Sequence, residues 1–174
     1  MKRPPQSDQV RAGDPGNVEA QAARLYWSRT LGRGVGRQPA AGQLIGANAC
    51  LDYGYAVLRG HLMRAVLAAG LAPALGVFHR GRGNAFALAD DLIEPFRPAI
   101  DEVALPLPAT ASPSDREVKQ LLVAAASQRF DADGHGIPAV AEALAQSFGR
   151  YIEGDIDRLQ VASGQGPARV GVGD

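Results

Sequence analysis

The sequence predicts an all-α fold, a single helical bundle of about six helices with disordered ends. Three observations carry that expectation. No run alternates with period two, apolar residues recur at helical spacing in several segments, and stretches rich in Gly and Pro separate those segments. A chain of 174 residues suffices for one domain with a real core. The expected organisation is a flexible segment over 1–12, a helical domain over 13–161 and a Gly-rich flexible tail over 162–174.

A first helix is expected over about 15–31, with Asp14 as cap, Pro15 in the first turn, and Val18, Ala22, Leu25 and Tyr26 as its apolar stripe. "GRGVGRQPAAG" then reads as a loop. A long helix begins near Asn48, carries Leu51, Tyr55, Leu58, Leu62, Ala65 and Val66 on one face, and ends at Gly70 before Pro73. Its interior Gly54 is a weakness unless something packs close against it. "LAPALGVFHRGRG" reads as a short helical turn and a basic loop, and "NAFALADDLIEPFRPAIDEVAL" as a helix kinked near Pro95 and Pro98. After the linker "PLPATASPS", Ser114 and Glu117 form a capping box that opens a helix to about Ala126. The loop "RFDADGHG" leads to a last helix with Pro138 at its start and Val140, Leu144, Phe148 and Ile152 on its buried side. There is no internal repeat.

Composition is that of a globular protein, with 46% apolar and 21% charged residues. The formal net charge of zero conceals an asymmetry. Residues 1–83 carry eleven Lys or Arg against four Asp or Glu, while residues 84–174 carry seven against fourteen. The basic half suits a polyanion. Sixteen of the eighteen cations are Arg, which fits bidentate phosphate contacts and equally a GC-rich genome. The single cysteine, Cys50, excludes an internal disulfide and a zinc site built on several thiolates. The apolar run from Ala65 to Phe78 is short for a membrane span and is interrupted by Gly70, Pro73 and Gly76, and "MKRPPQSDQV" lacks the apolar core of a signal peptide. A cytoplasmic protein without a membrane partner is expected.

The chemistry concentrates in "LADDLIEPFRP", where Asp90, Asp91 and Glu94 gather in an otherwise apolar turn. Two readings compete. The acids are a solvated helix face, or their mutual repulsion is met by an arginine such as Arg97 or by a metal ion. Upstream, "FHRGRGN" supplies His79, and imidazole with carboxylate oxygens suits Mg²⁺ or Mn²⁺ better than zinc. On its own, Glu19 reads as an acid favoured in a first helical turn by the helix dipole. Asp131, Asp133, Gly136 and Glu142 copy four positions of a calcium-binding loop, but His135 and Pro138 break the pattern, which reads as coincidence. His61 reads as packing or surface and His135 as a loop residue. Tyr26, Trp27, Tyr53 and Tyr55 read as core, and no nucleophile elbow is present.

Four blocks, "GDPGNVEAQAARLYW", "NACLDYGYAVLR", "GLAPALGVFHR" and "NAFALADDLIEPFRPAID", resemble the catalytic helical domain of the CRISPR-associated integrase of spacer acquisition, most closely its type II form. The blocks run in the family's order over residues 13 to about 101. The resemblance implies a metal-dependent DNA endonuclease and integrase, with Glu19, His79 and Glu94 as catalytic metal ligands for Mg²⁺ or Mn²⁺. Asp91 is implied as an additional ligand or a supporting group. Arg59, Arg64, Arg80 and Arg82 are the expected DNA-binding residues. The implied partners are DNA, as spacer ends and repeat target, and a small second CRISPR adaptation protein; the family forms homodimers, an expectation that does not carry over directly to this chain. Asp52 stands where the family often has Asn, and residues 1–12 are not expected to supply the family's N-terminal β-rich domain. The competing expectation is a truncated, non-catalytic DNA-binding or scaffolding remnant of the integrase.

Overall fold

The computed structural model describes residues 17–31, 37–39, 42–79, 83–159, 161 and 164. Among the described residues are six α-helices and no strand: α1 (Val18–Thr30), α2 (Gly46–Ala68), α3 (Ala87–Leu92), α4 (Arg97–Ala104), α5 (Arg116–Ala125) and α6 (Ile137–Ile152). The all-α expectation therefore holds. The chain divides into two compact units, Met1–Gln43 and Leu44–Asp174.

In the first unit, α1 follows Asn17, whose φ of 51° is left-handed. The rings of Tyr26 and Trp27 meet edge to face at 4.8 Å, and the Arg37 guanidinium lies 6.0 Å from the Trp27 ring. Tyr26 remains 41% exposed, so it is not the core residue its spacing suggested. Asp14 and Pro15 lie outside the described residues, as does the tail expected to be flexible except for Gly164.

The second unit is organised by α2, which touches α3, α4, α5 and α6. All six residues of its expected apolar face are buried. They meet Leu88 and Leu92 of α3, Ile100 of α4, Leu122 of α5, and Ile137 and Leu144 of α6 in one core. Each large side chain so buried contributes about 1.5–3 kcal/mol. Gly54 is the point of closest approach. A Cβ there would stand 2.5 Å from Ile100 Cγ2, so the glycine that weakens α2 locally is what lets α4 cross it.

The proline-rich stretch breaks as its residues require. α3 ends at Leu92, Glu94–Phe96 form a single 3₁₀ turn around Pro95, and α4 restarts with Pro98 in its first turn. Phe96 is buried against Phe130, with ring centroids 4.8 Å apart. Residues 71–79 form turns with no helix, which corrects the expected helical turn there. The expected capping box is also corrected. Asp115 is the N-cap of α5 and makes no side-chain cap bond, while Ser114 N–H donates to Ser112 Oγ, which itself donates to the Leu44 carbonyl. The serine pair is thus engaged in joining the linker to the entrance of α2. At the far end Ile152 is 59% exposed, which corrects its expected place on the buried side, while Val140, Leu144 and Phe148 are buried as expected.

Candidate functional site

Successive residues on a helix project about 100° apart, so Asp90 and Asp91 in α3 face different neighbours. Asp90 turns to α2. Its Oδ1 accepts from Arg59 Nε at 2.5 Å, and its Oδ2 accepts from Arg59 Nη2 at 3.2 Å and Asn84 Nδ2 at 2.7 Å. Burial pushes the Asp90 carboxyl up, but the hydrogen bonds from Arg59 and Asn84 outweigh it and hold the group below the usual carboxylate range. The Arg59 guanidinium is held fully charged by the same bonds.

Asp91 turns to the segment before α3, and its side chain is only 4% exposed. Oδ2 accepts the backbone N–H of Val77 at 2.5 Å and of Phe78 at 3.1 Å. Oδ1 accepts the His79 N–H at 3.2 Å and meets the His79 ring at Nδ1, 2.6 Å away. Burial again opposes the charge, and the hydrogen bonds from His79, Phe78 and Val77 again prevail, leaving Asp91 below the usual range. This convergence requires Gly76. A Cβ on it would sit 2.9 Å from Asp91 Oδ2 and from Ala87 Cβ, and would overlap the His79 carbonyl oxygen. The segment so tied keeps its own side chains outward, with Phe78 78% and the His79 side chain 54% exposed.

Glu94 falls in the 3₁₀ turn and points a third way. Its side chain is 55% exposed and accepts from Arg97 Nε at 2.8 Å. Arg97 in turn lies 4.6 Å over the Tyr55 ring, and Tyr55 donates its hydroxyl proton to the buried Asp101. The three acids that the sequence gathers into one turn are therefore dealt to three partners: a guanidinium, a backbone strap with an imidazole, and a surface arginine.

Of the expected DNA contacts, Arg59 is committed to Asp90 inside the unit, whereas Arg64 is exposed and pairs with Glu142 at 3.3 Å. Arg80 and Arg82 lie outside the described residues; Glu19 sits in the first turn of α1, with its side chain outside the description. His61 lies with Nε2 3.4 Å from Ser127 Oγ, and burial, aided by Arg64, pushes its pKa down.

One group of three ligand-bearing side chains lies within 4.8 Å among the described residues: Asp131, Asp133 and His135. Its loop is closed by Phe130 N–H on the His135 carbonyl at 2.8 Å and by Ile137 N–H on the Gln128 carbonyl at 2.9 Å. Asp131 accepts the His135 N–H at 2.7 Å and meets its Nδ1 at 2.8 Å, which raises the imidazole pKa. Glu142, the twelfth position of the calcium-loop spacing, turns instead to Arg64. A groove of about 350 Å³ runs beside this loop along α6, lined by Asp131, His135, Ala139, Val140, Ala143, Leu144 and Ser147. None of the expected site residues lines it.

Gly76, Asn84 and Asp101 escaped the sequence reading. Their roles depend on contacts that reach as far as 46 residues along the chain, and no local pattern marks them.

Residues 16–112, more than half of the chain, match the family described as CRISPR associated protein Cas1. The chain belongs to the Cas1 family. Over 95 residues this Cas1 chain is 47% identical to the CRISPR-associated endonuclease Cas1 of Neisseria meningitidis, covering 55% of this chain and 30% of that protein. It is 36% identical over 113 residues to a CRISPR-associated endonuclease Cas1 of Pyrobaculum aerophilum, covering 60% of this chain and 36% of that protein. The chain thus spans about a third of the length of these relatives. A solved structure titled "Casposase bound to integration product" superposes with a TM-score of 0.71 at 18% identity, over 86% of this chain and 50% of that one, a likeness of fold. Among the described residues no helix is long and apolar enough to cross a membrane.

Proposed function

We propose that residues 13–161 act as the catalytic helical domain of a DNA endonuclease and integrase of CRISPR spacer acquisition. In this reading Glu19, His79 and Glu94 hold one Mg²⁺ or Mn²⁺ ion. The observation that carries it is His79, an exposed imidazole whose Nδ1 is engaged by a buried carboxylate, so that Nε2 is the nitrogen left to face a ligand. Such a carboxylate behind a histidine is the usual support of a metal-binding imidazole. The donor set fits a hard divalent cation, since Glu94 offers a half-exposed carboxylate whose partner among the described residues is Arg97. When bound, the ion supplies Lewis-acid stabilisation of charge developing on a scissile phosphate.

The chain's own residues would do the rest. Arg64, Arg80 and Arg82 neutralise phosphates on either side of the scissile one and fix the strand's position without reading sequence. Arg97, resting on the Tyr55 ring, holds Glu94 until substrate or ion competes for it. The reaction is phosphodiester hydrolysis when water attacks and transesterification when a DNA 3′-hydroxyl does. The partners are spacer ends, a repeat target, a small second adaptation protein and a second copy of the integrase, in the cytoplasm. Arg59 is removed from the DNA-contact set, because its fork is spent on Asp90.

Thermal melts with and without Mn²⁺, paired with a plasmid-nicking assay, test this reading. Mn²⁺ should raise the Tm of the full chain and support nicking. Separate Glu19→Ala, His79→Ala and Glu94→Ala substitutions should abolish both effects while leaving the metal-free Tm within a few degrees. An unchanged Mn²⁺ response in His79→Ala would overturn the assignment. Metal binding and DNA binding without any nicking would favour the non-catalytic remnant.

A further inference from the structure

We propose that Asp91 is a positioning residue and not a metal ligand: it ties residues 77–79 into a fixed strap and holds His79 as the tautomer protonated on Nδ1, turning the Nε2 lone pair outward. Only the last consequence, what that lone pair receives, rests on the function proposed above.

Donors and acceptors around Asp91 decide the tautomer. Four groups converge on the Asp91 carboxylate, and three are backbone N–H groups, which can only donate. Oδ2 takes two of them, from Val77 and Phe78; Oδ1 takes the third, from His79, together with the ring nitrogen. A carboxylate so surrounded acts as an acceptor throughout. The proton in the 2.6 Å contact therefore belongs to Nδ1, and neutral His79 carries its free lone pair on Nε2. A carboxylate that also ligated a cation would have to give up some of these bonds, and its side chain, 4% exposed, has little surface with which to do so.

The strap explains Gly76 as well. Any side chain at that position would meet the His79 carbonyl oxygen and Asp91 Oδ2, pushing the backbone off the carboxylate. Gly76 and Asp91 are thus two halves of one device, the first giving clearance and the second the tie. The device also accounts for an exposed loop that has apolar side chains outward yet a fixed course. Its backbone N–H groups are satisfied from beneath by a helix side chain.

Replacing Asp91 by Asn separates this account from a merely structural one. The amide oxygen can still accept from Val77 and Phe78, which leaves its NH₂ opposite the imidazole and opposite the His79 backbone N–H, whose bond is lost. An NH₂ donates, so Nδ1 must become the acceptor and the ring proton must move to Nε2, where a ligand needs the lone pair. The measurement is a long-range ¹H–¹⁵N correlation spectrum of the metal-free full chain at mildly alkaline pH, with His79→Gln used to assign the His79 signals. Wild type should show the Nδ1–H tautomer and Asp91→Asn the Nε2–H tautomer. In parallel, Mn²⁺ titration should show binding weakened about 10–100-fold in Asp91→Asn, the usual cost of disturbing a ligand's support, against complete loss in His79→Ala. If Asp91→Asn does not fold, Gly76→Ala reaches the same contact from outside with Asp91 intact. It should then show faster amide exchange at Val77 and Phe78 and a mixture of His79 tautomers.

An Nε2–H tautomer in wild type would overturn the proposal, and so would an unchanged tautomer in Asp91→Asn. Loss of Mn²⁺ binding in Asp91→Asn as complete as in His79→Ala would make Asp91 a ligand and overturn it too. If the tautomer switches as expected while wild type binds no Mn²⁺, the strap stands and the metal reading alone fails.

Discussion

Asp90 and Asp91 are adjacent in sequence, equally acidic by type and both set in an apolar helix, yet they do opposite kinds of work. Asp90 faces α2 and is neutralised by a guanidinium, with Asn84 completing the pair. Its charge is satisfied within the bundle, so its contribution is to stability. Asp91 faces the segment before α3 and meets no full charge among its described partners, only three backbone N–H groups and an imidazole. Its contribution is to shape, because four donors aimed at one carboxylate fix where His79 stands. The helix period alone makes the difference, since a rotation of about 100° separates a structural ion pair from a site-building clamp.

The sharpest way to break this contrast is to remove the guanidinium. Arg59→Ala leaves Asp90 largely buried with a single amide partner, and after allowance for the partial exposure of Arg59 the cost should be about 2 kcal/mol in urea unfolding. DNA affinity should keep its salt dependence, because that side chain meets no phosphate in this account. Asp90→Asn should cost less, about 1 kcal/mol at neutral pH. It should also reduce the acid sensitivity of the fold. A carboxyl whose folded pKa lies below its unfolded value stabilises above the ordinary carboxylate range and loses that contribution as pH falls through the folded value. Wild type should therefore weaken below about pH 4, and Asp90→Asn should weaken less steeply. Asp91→Asn should leave global stability within about 1 kcal/mol, since its bonds hold an exposed strap and not a helix interface. A larger loss than in Arg59→Ala would reverse the comparison. Smallest of all, Arg64→Ala should change stability by less than about 0.5 kcal/mol. It should also lower the slope of log affinity for DNA against log salt by about 1.

Much of the fold was legible because it follows from local rules. The apolar face of α2 obeys helical periodicity, and the break between α3 and α4 follows from what Pro95 and Pro98 forbid. Gly54 was legible as a question, answered only by Ile100, 46 residues away. The site was legible as a set of residue types and not as an arrangement. Asp90, Asp91 and Glu94 look like one carboxylate cluster because i, i+1 and i+4 on an unbroken helix share one side, and the helix is not unbroken. The 3₁₀ turn shifts Glu94 out of the register of α3, and the 100° step parts the other two. Arg59 looked available to DNA because its partner lies 31 residues on. Glu19 carries no local signal at all beyond a favourable place in a first turn.

In the proposed site His79 is the imidazole that meets the metal. Pulsed electron paramagnetic resonance of Mn²⁺ on the full chain, with histidines labelled by ¹⁵N, tests it most directly, because a directly ligated imidazole nitrogen couples to the ion. The expected result is one such coupling in wild type, lost in His79→Ala and retained in His135→Ala. The opposite pattern, retained in His79→Ala and lost in His135→Ala, would put the ion at the Asp131, Asp133 and His135 loop and contradict the account.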